Sequence, residues 1–289
     1  FRRTIDSKPT HATKGSIWFE PIGKFANQQS QQQNKGYRQV TGGGIGGTDY
    51  RVHPNFYLGA ATGYTYSHLR WKKTTDKATI NSYYGALYGM WYNTRAFVDG
   101  SMIGSYNHYH AKRHIKFPGV SRTARASHGG YELSSSLGTG LFFYPSHYQI
   151  QPYARADYVF THQGSQREHG ASSLDLNIGS TNSRYVRTDL GFRFLRFYDR
   201  TLLKCIPYFK LSWVWEKQLD SASFHSSFKG SSCSFTTHGM RPHRSLFAPG
   251  VGVTVLACQD RFSFSVHDDA EIGHRFWENR AYLNFSYRY

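Results

Sequence analysis

Apolar and polar residues alternate with a period of two along most of this chain. Over residues 56–67, Phe56, Leu58, Ala60, Thr62, Tyr64 and Tyr66 alternate with Tyr57, Gly59, Ala61, Gly63, Thr65 and Ser67. Large residues on one side and small ones on the other mark a strand, because successive side chains of an extended backbone point to opposite faces. The same pattern places Tyr131, Leu133, Leu137, Leu141 and Phe143 opposite Glu132, Ser134, Ser136, Gly138 and Gly140. Ile150, Pro152, Ala154, Ala156, Tyr158 and Phe160 stand opposite Gln151, Tyr153, Arg155, Asp157 and Thr161. Read this way, the chain predicts twelve strands: about 16–26, 37–52, 56–67, 79–92 and 96–110, then segments around 131–143 and 150–161, one ending at 191–194, and segments around 208–216, 247–255, 262–267 and the C-terminus. The last strand carries Leu283, Phe285, Tyr287 and Tyr289 on one face.

The connections between these runs alternate in length. Short ones at 53–55, 93–95, 145–147, 198–200 and 259–260 are built from Pro, Asn, Asp, Ser and other turn formers. Long ones, such as 28–36 and 218–243, fall between them. Up-and-down hairpins with short turns at one end and long loops at the other are the pattern of a transmembrane β-barrel. The expected fold is all-β: a closed, up-and-down, antiparallel barrel of twelve strands. An even strand number puts both chain ends on one side. Closure removes the sheet edges, which no sheet can leave unpaired in lipid.

Composition agrees with this reading. No stretch approaches the roughly 18 apolar residues of a spanning helix. Hydrophobic residues make up only 39% of the 289 residues, and a barrel tolerates this because only alternate residues face lipid. Phe, Trp and Tyr reach 17%, suited to the two interfacial girdles of such a barrel. The net charge is +17. The basic residues are spread over loops, turns and inward positions, so nucleic acid is not an expected partner. Anionic headgroups of outer-membrane lipid and lipopolysaccharide are the expected contact. Cys205, Cys233 and Cys258 show no zinc-ligand spacing, and their odd number leaves at least one thiol free. Phe1-Arg2-Arg3 lacks the apolar core of a signal peptide, so the chain is expected to be the C-terminal part of a longer precursor. Residues 1–14 are polar and patternless and read as a linker from an upstream passenger; residues 15–289 read as the barrel.

Several constellations invite chemistry. Gly42-x-Gly44-x-x-Gly47 matches a dinucleotide fingerprint by letters, but the segment continues extended where a helix is required. Gly42, Gly43, Gly44, Gly46 and Gly47 fit better as small residues that let a strand bend or bulky lumen contents approach. His108, His110 and His114 share a strand face but sit among Lys112, Arg113 and Lys116, a basic setting that disfavours a cation. Asp268 and Asp269 point to opposite faces and cannot act as a pair. Asp269 and Glu271 share the inner face, where Arg275 or Arg155 could balance them. Arg155 and Asp157 are a second expected lumenal ion pair. No catalytic residues, metal or cofactor are expected.

Three segments resemble the autotransporter β-domain, the translocator of type V secretion. They are the glycine-rich run 37–50 with Leu58-Gly59-Ala60-Ala61-Thr62-Gly63-Tyr64, then Asp189-Leu190-Gly191-Phe192-Arg193-Phe194, and finally Pro249-Gly250-Val251-Gly252-Val253 through Asp269-Ala270-Glu271-Ile272-Gly273 to Tyr287-Arg288-Tyr289. The family's last residue is most often Phe; here it is Tyr289. The cysteine and histidine content is similar to the polymorphic outer membrane proteins of chlamydiae, which the family includes. The resemblance implies a monomeric, non-enzymatic barrel in the outer membrane of a Gram-negative bacterium. It implies export of an N-terminal passenger, with the terminal strand recognised by the barrel assembly machinery. The pore-threading helix of that family is not recognisable in residues 1–14. A free-standing porin or barrel hydrolase is the alternative role, and a soluble all-β binding module, with the outward row as core, is the third.

Overall fold

The structure, a computed structural model, describes residues 14–30, 34–199, 203–220, 223–239 and 243–289. Twelve antiparallel strands form a ring: β1 Gly15–Gln28, β2 Tyr37–His53, β3 Phe56–Trp71, β4 Lys77–Tyr92, β5 Ala96–Phe117, β6 Val120–Leu141, β7 Tyr148–Gln163, β8 Thr181–Arg196, β9 Leu203–Gln218, β10 His243–Ala257, β11 Phe262–Gly273 and β12 Phe276–Arg288. Each pairs with its neighbours in sequence, and β1 pairs with β12 to close the ring. The closing register runs from Ser16 opposite Arg288 to Gln28 opposite Phe276. It skips Glu20 and Pro21, because proline has no amide hydrogen to give the ladder. The β10–β11 ladder skips Ala248 and Pro249 for the same reason.

The ring turns a soluble protein inside out. Leu87, Leu137 and Met102 are 67%, 63% and 57% exposed, and they belong to an outward belt that includes Phe192, Val251 and Phe285. Polar pairs interrupt the belt, among them Asn279 Nδ2 donating to Asp268 Oδ1 at 2.7 Å on the outer face. Inward positions hold most of the charged residues of the strands. The interior is not uniformly polar. Ala26, Val214, Leu246, Ala248 and Phe276 form one buried apolar cluster, and Leu195, Ile206, Tyr208 and Leu256 form another.

The connections depart from strict alternation. The turns at the chain-terminus end of the barrel are short as expected. At the other end, β11 and β12 meet in a two-residue turn at His274 and Arg275, with Arg275 in the left-handed region at φ 59°. The segment read as a loop after residue 110 is a continuous hairpin. Strands β5 and β6 run as a ladder from Ala96 opposite Leu141 to Phe117 opposite Val120, and Gly119 supplies the φ of 79° at the tip. Two long connections contain strands of their own. Ser234–His238, Ser223–Phe228, Leu176–Ile178 and Gln166–Arg167 form a separate four-stranded sheet, in that order. It is held to the long hairpin by Arg113, whose Nε donates to Glu168 Oε1 at 2.9 Å, and by Arg122 Nη1 donating to the Ala171 carbonyl at 2.9 Å. The Glu168 carboxylate keeps the Arg113 guanidinium above its ordinary pKa. Near the base of this extension, burial and then the neighbouring His108 hold His128 below the usual imidazole range.

The outward belt sets a stability test. Replacing Leu87 by Arg near mid-height on the outer face should cost about 2–4 kcal/mol, and Thr79→Arg, near the upper rim, about 0–1 kcal/mol. Urea unfolding in lipid vesicles measures both. Equal costs at the two heights would show that the row does not face hydrocarbon.

Candidate functional site: the lumen and the closing strand

Inward charges on β1, β8, β9, β10, β11 and β12 converge in the half of the barrel away from the chain termini. Arg187 of β8 is the hub. Its Nη1 donates to Glu216 Oε1 at 2.7 Å and its Nη2 to Glu271 Oε1 at 2.6 Å. Its Nε lies 3.9 Å from Asp157 Oδ2. Arg244 reaches Glu216 at 3.8 Å, donates to Gln28 Oε1 at 2.8 Å and lies 4.0 Å over the Phe276 ring. A second group joins Lys24 and Arg280 to opposite oxygens of Glu278, at 2.8 and 2.7 Å. Together they surround a lumenal cavity of about 470 Å³, with Phe224 from the separate sheet at its edge. Cations and carboxylates are matched, so the wall is hydrophilic but carries no strong field of one sign.

The expected pairings are only partly correct. Arg155 and Asp157 share the inner face but do not pair with each other. Arg155 Nη2 donates to Asp99 at 2.5 Å and its Nη1 to Ser136 at 2.7 Å, whereas Asp157 faces Arg187. Asp269 is met by Lys210 at 2.9 Å, not by Arg275 or Arg155. Glu271 is met by Arg187. Arg275 stands in the β11–β12 turn. The physical reason is the ring. Residues at one height on strands two apart around the ring come within reach over the strand between them, as Arg155 and Asp99 do over Gly138 and Lys210 and Asp269 over Gly250.

Glycine on the inner face makes this packing possible. A Cβ on Gly250 would lie 2.0 Å from Asp269 Oδ1, so only glycine lets the Lys210–Asp269 pair sit against the β10 backbone. A Cβ on Gly47 would lie 2.7 Å from the Trp18 ring. That ring fills the lower lumen, where Trp18 Nε1 donates to Tyr88 Oη at 2.8 Å and Tyr88 donates to Asp49 Oδ2 at 3.2 Å. The glycine-rich run of β2 is thus split by parity. Gly43 and Gly47 face inward, while Gly42, Gly44 and Gly46 face outward, where Gly44 and Gly46 lie against Phe19.

The terminal strand closes the ring. Tyr287 packs against Phe262 and Phe285 against Phe264 with tilted rings, both with centroids 5.0 Å apart on the outer face. Leu283 lies opposite Val266 in the same outward row. The Tyr289 amide donates to the Gly15 carbonyl at 3.1 Å, and the Lys14 amide donates to the Tyr289 carbonyl at 2.8 Å.

Other predicted features fall outside the lumen. His108 and His110 lie on the outer face of β5 with ring centroids 4.4 Å apart, and His108 contacts Ser127 and His114 contacts Thr123. Among the described residues no three side chains of metal-binding type come together. Cys205, Cys233 and Cys258 are all free thiols. Residues 1–13, read as linker, lie outside the described residues.

A family model described as the autotransporter β-domain matches residues 17–267. The chain belongs to the autotransporter β-domain family. No curated protein sequence matches it. Similar solved structures include the translocator domain of the autotransporter NalP from Neisseria meningitidis, at 12% identity and TM-score 0.72, covering 97% of this chain and 90% of that one. The β-domain of the Bordetella autotransporter BrkA matches at 18% identity and TM-score 0.71, covering 96% of this chain and all of that one. The transport unit of AIDA-I from Escherichia coli matches at 15% and 0.71, with 98% and 93% covered. At these identities the likeness is one of fold. The autotransporter β-domain is an outer-membrane translocator barrel of Gram-negative bacteria that anchors and exports an N-terminal passenger, and this chain is such a barrel.

The ion network in this β-domain should be coupled. Arg187→Met takes the hydrogen-bonded cation away from Glu216 and Glu271 in a partly desolvated wall and should cost about 1–3 kcal/mol. Adding Glu216→Gln and Glu271→Gln should recover part of that loss, because fewer charges then lack a partner. Urea titration of the parent, Arg187→Met, the Glu216→Gln and Glu271→Gln pair, and all three changes together checks it, and strict additivity would mean that Arg187 is independent of the two carboxylates.

Proposed function

We propose that the lumen of this barrel is the conduit for the passenger, and that its matched charges are there to keep the wall wet without holding the passing chain. A conduit must not bind what it carries. Paired cations and carboxylates present hydrogen-bonding groups of both kinds with little net field. That pairing, centred on Arg187, is the observation that carries the reading. Residues 1–14 would serve as the linker that joins the passenger to the first strand of the barrel.

The barrel performs no chemistry of its own on this reading. Asp269 and Glu271, the carboxylates that a barrel hydrolase would use, are each occupied by a cation, Lys210 and Arg187. The terminal strand, through Leu283, Phe285, Tyr287 and Tyr289, would be read by the barrel assembly machinery before the ring closes. An unpaired strand offers a row of backbone groups for augmentation, and its alternate aromatics supply specificity. Lipid and lipopolysaccharide would contact the outer belt and rims. The barrel would work as a monomer, because closure leaves no edge for a second copy.

A reporter passenger fused upstream of Phe1 tests this in cells. Deleting Tyr287 to Tyr289 should lower surface reporter and heat-modifiable barrel in the outer-membrane fraction at least tenfold. Removing matched partners together, Lys210→Gln with Asp269→Asn or Arg187→Gln with Glu271→Gln, should leave display within about twofold, since a neutral wall still hydrates the conduit. Undiminished insertion after the deletion would remove the terminal strand from its proposed role. Hydrolytic turnover abolished by either carboxylate change would favour the hydrolase alternative.

A further inference from the structure

The register of the long hairpins gathers basic residues that look scattered in the sequence. Arg38 of β2 lies directly opposite Arg70 of β3, Arg70 opposite Lys77 of β4, Lys77 opposite Lys112 of β5, and Lys112 opposite Arg125 of β6. All five are exposed on the outer face. Five cations on five adjacent strands span roughly 19 Å at the usual strand spacing. None of them has an ion-pair partner among the described residues, whereas Arg113, on the inner face of the same hairpin, is paired with Glu168. Asp76, which precedes Lys77, accepts the backbone amide of His114. Like charges directly opposite each other on a sheet destabilise it, so five in one row need a reason.

A second row fixes the level of the first. Tyr64, Tyr83, Tyr106 and Tyr131 are also direct cross-strand partners, and all face outward. This row is the interfacial girdle on that wall, with rings in the hydrocarbon boundary and hydroxyls in water. Each basic residue on β3 to β6 stands six residues beyond the tyrosine of its own strand, away from the chain termini. Six residues of strand is roughly 20 Å, and less along the membrane normal because barrel strands tilt by about 40°. Long Lys and Arg side chains shorten the gap further by reaching back toward the interface. His68, Thr79, His110 and Ser127 fill the adjoining row with hydrogen-bonding groups.

We infer that Arg38, Arg70, Lys77, Lys112 and Arg125 form a phosphate-binding ladder for phosphorylated glycolipid headgroups of the outer leaflet. Guanidinium forks take phosphate oxygens bidentately and ammonium groups add charge, so a row of both suits ligands carrying several phosphates. The ladder's position on the same wall as a lipid-facing belt, within side-chain and headgroup reach above its tyrosine girdle, selects a lipid headgroup over a soluble polyanion. The inference deepens the proposed contact with lipopolysaccharide by giving it an address and a chemistry.

The folded chain in phosphatidylcholine vesicles, with or without bis-phosphorylated lipid A, provides the test. Lys77→Gln with Lys112→Gln should lower lipid A binding at least tenfold. The parent should bind dephosphorylated lipid A at least tenfold more weakly than the phosphorylated form, and its binding should weaken as salt rises. Neutralising Lys217 and Lys229 in the same way, elsewhere on the surface, should leave lipid A binding unchanged. The ladder pair should also reverse its effect on urea resistance: at least equal to the parent in phosphatidylcholine alone, where repulsion is relieved, and below it when lipid A is present. Equal binding of phosphorylated and dephosphorylated lipid A would overturn the ladder, as would an equal loss in the Lys217 and Lys229 control. Retention of a single-stranded oligonucleotide as tight as that of lipid A would overturn the lipid assignment. Reporter display in cells is read separately, so loss of lipid binding with normal display bears on the ladder alone.

Discussion

Backbone amides and carbonyls inside hydrocarbon have no water to turn to, and every other feature of this chain follows from satisfying them. An open sheet leaves two edges unpaired. Pairing β1 with β12 removes both, and the chain folds so that its first and last strands meet. Two of the places where the ladder is interrupted contain a proline, Pro21 and Pro249, which has no amide to leave stranded. The terminal carbonyl of Tyr289 is used as well, by the Lys14 amide just before β1.

Closure divides each strand by parity into a lipid row and a lumen row, and the two rows obey opposite rules. Outside, size is free and charge is costly, so Leu87, Leu137, Phe192 and Phe285 project without packing partners of the kind a core would give. Inside, charge is tolerated and space is limiting. Trp18, Tyr88, Arg155 and Asp269 each occupy room vacated by a glycine on a neighbouring strand, as Gly47 and Gly250 do for Trp18 and Asp269. The glycine-rich second strand therefore serves neither a nucleotide nor a hinge. Its inward glycines make volume for the lumen, and its outward Gly44 and Gly46 let Phe19 lie flat against the wall.

Period-two alternation and turn chemistry are local signals, and they carried the fold: twelve strands, their order and the facing of the apolar rows can be read from residue types alone, whereas the basic residues expected in loops, turns and inward positions include Arg38, Arg70, Lys77, Lys112 and Arg125 on the outer face. What could not be read is register. Arg155 and Asp157 are neighbours on one face in sequence, yet Arg155 chooses Asp99 because β5 is two strands away around the ring and at the same height. The hairpin tip at Pro118-Gly119 was the missed local signal: a Pro-Gly turn between two alternating basic segments marks strands, where composition suggested loop. The sheet formed by 166–178 and 223–238 left less trace, since its strands are only two to six residues long and their partners lie in a different connection.

Charge shows most clearly what register adds. The net +17 looks diffuse along the sequence. In the barrel the lumenal cations are almost all matched by carboxylates, Arg187 by three, Lys24 and Arg280 by Glu278, and Lys210 by Asp269. Matching inside forces the surplus outside. On β2 to β6 it collects in a single cross-strand row, each member six residues beyond an outward Tyr or, on β2, beyond Gly44. Evenly spread charge would have cost the sheet less repulsion. The arrangement is therefore explained by a multivalent anion at that height, and the outer leaflet is where such an anion meets a lipid-facing wall.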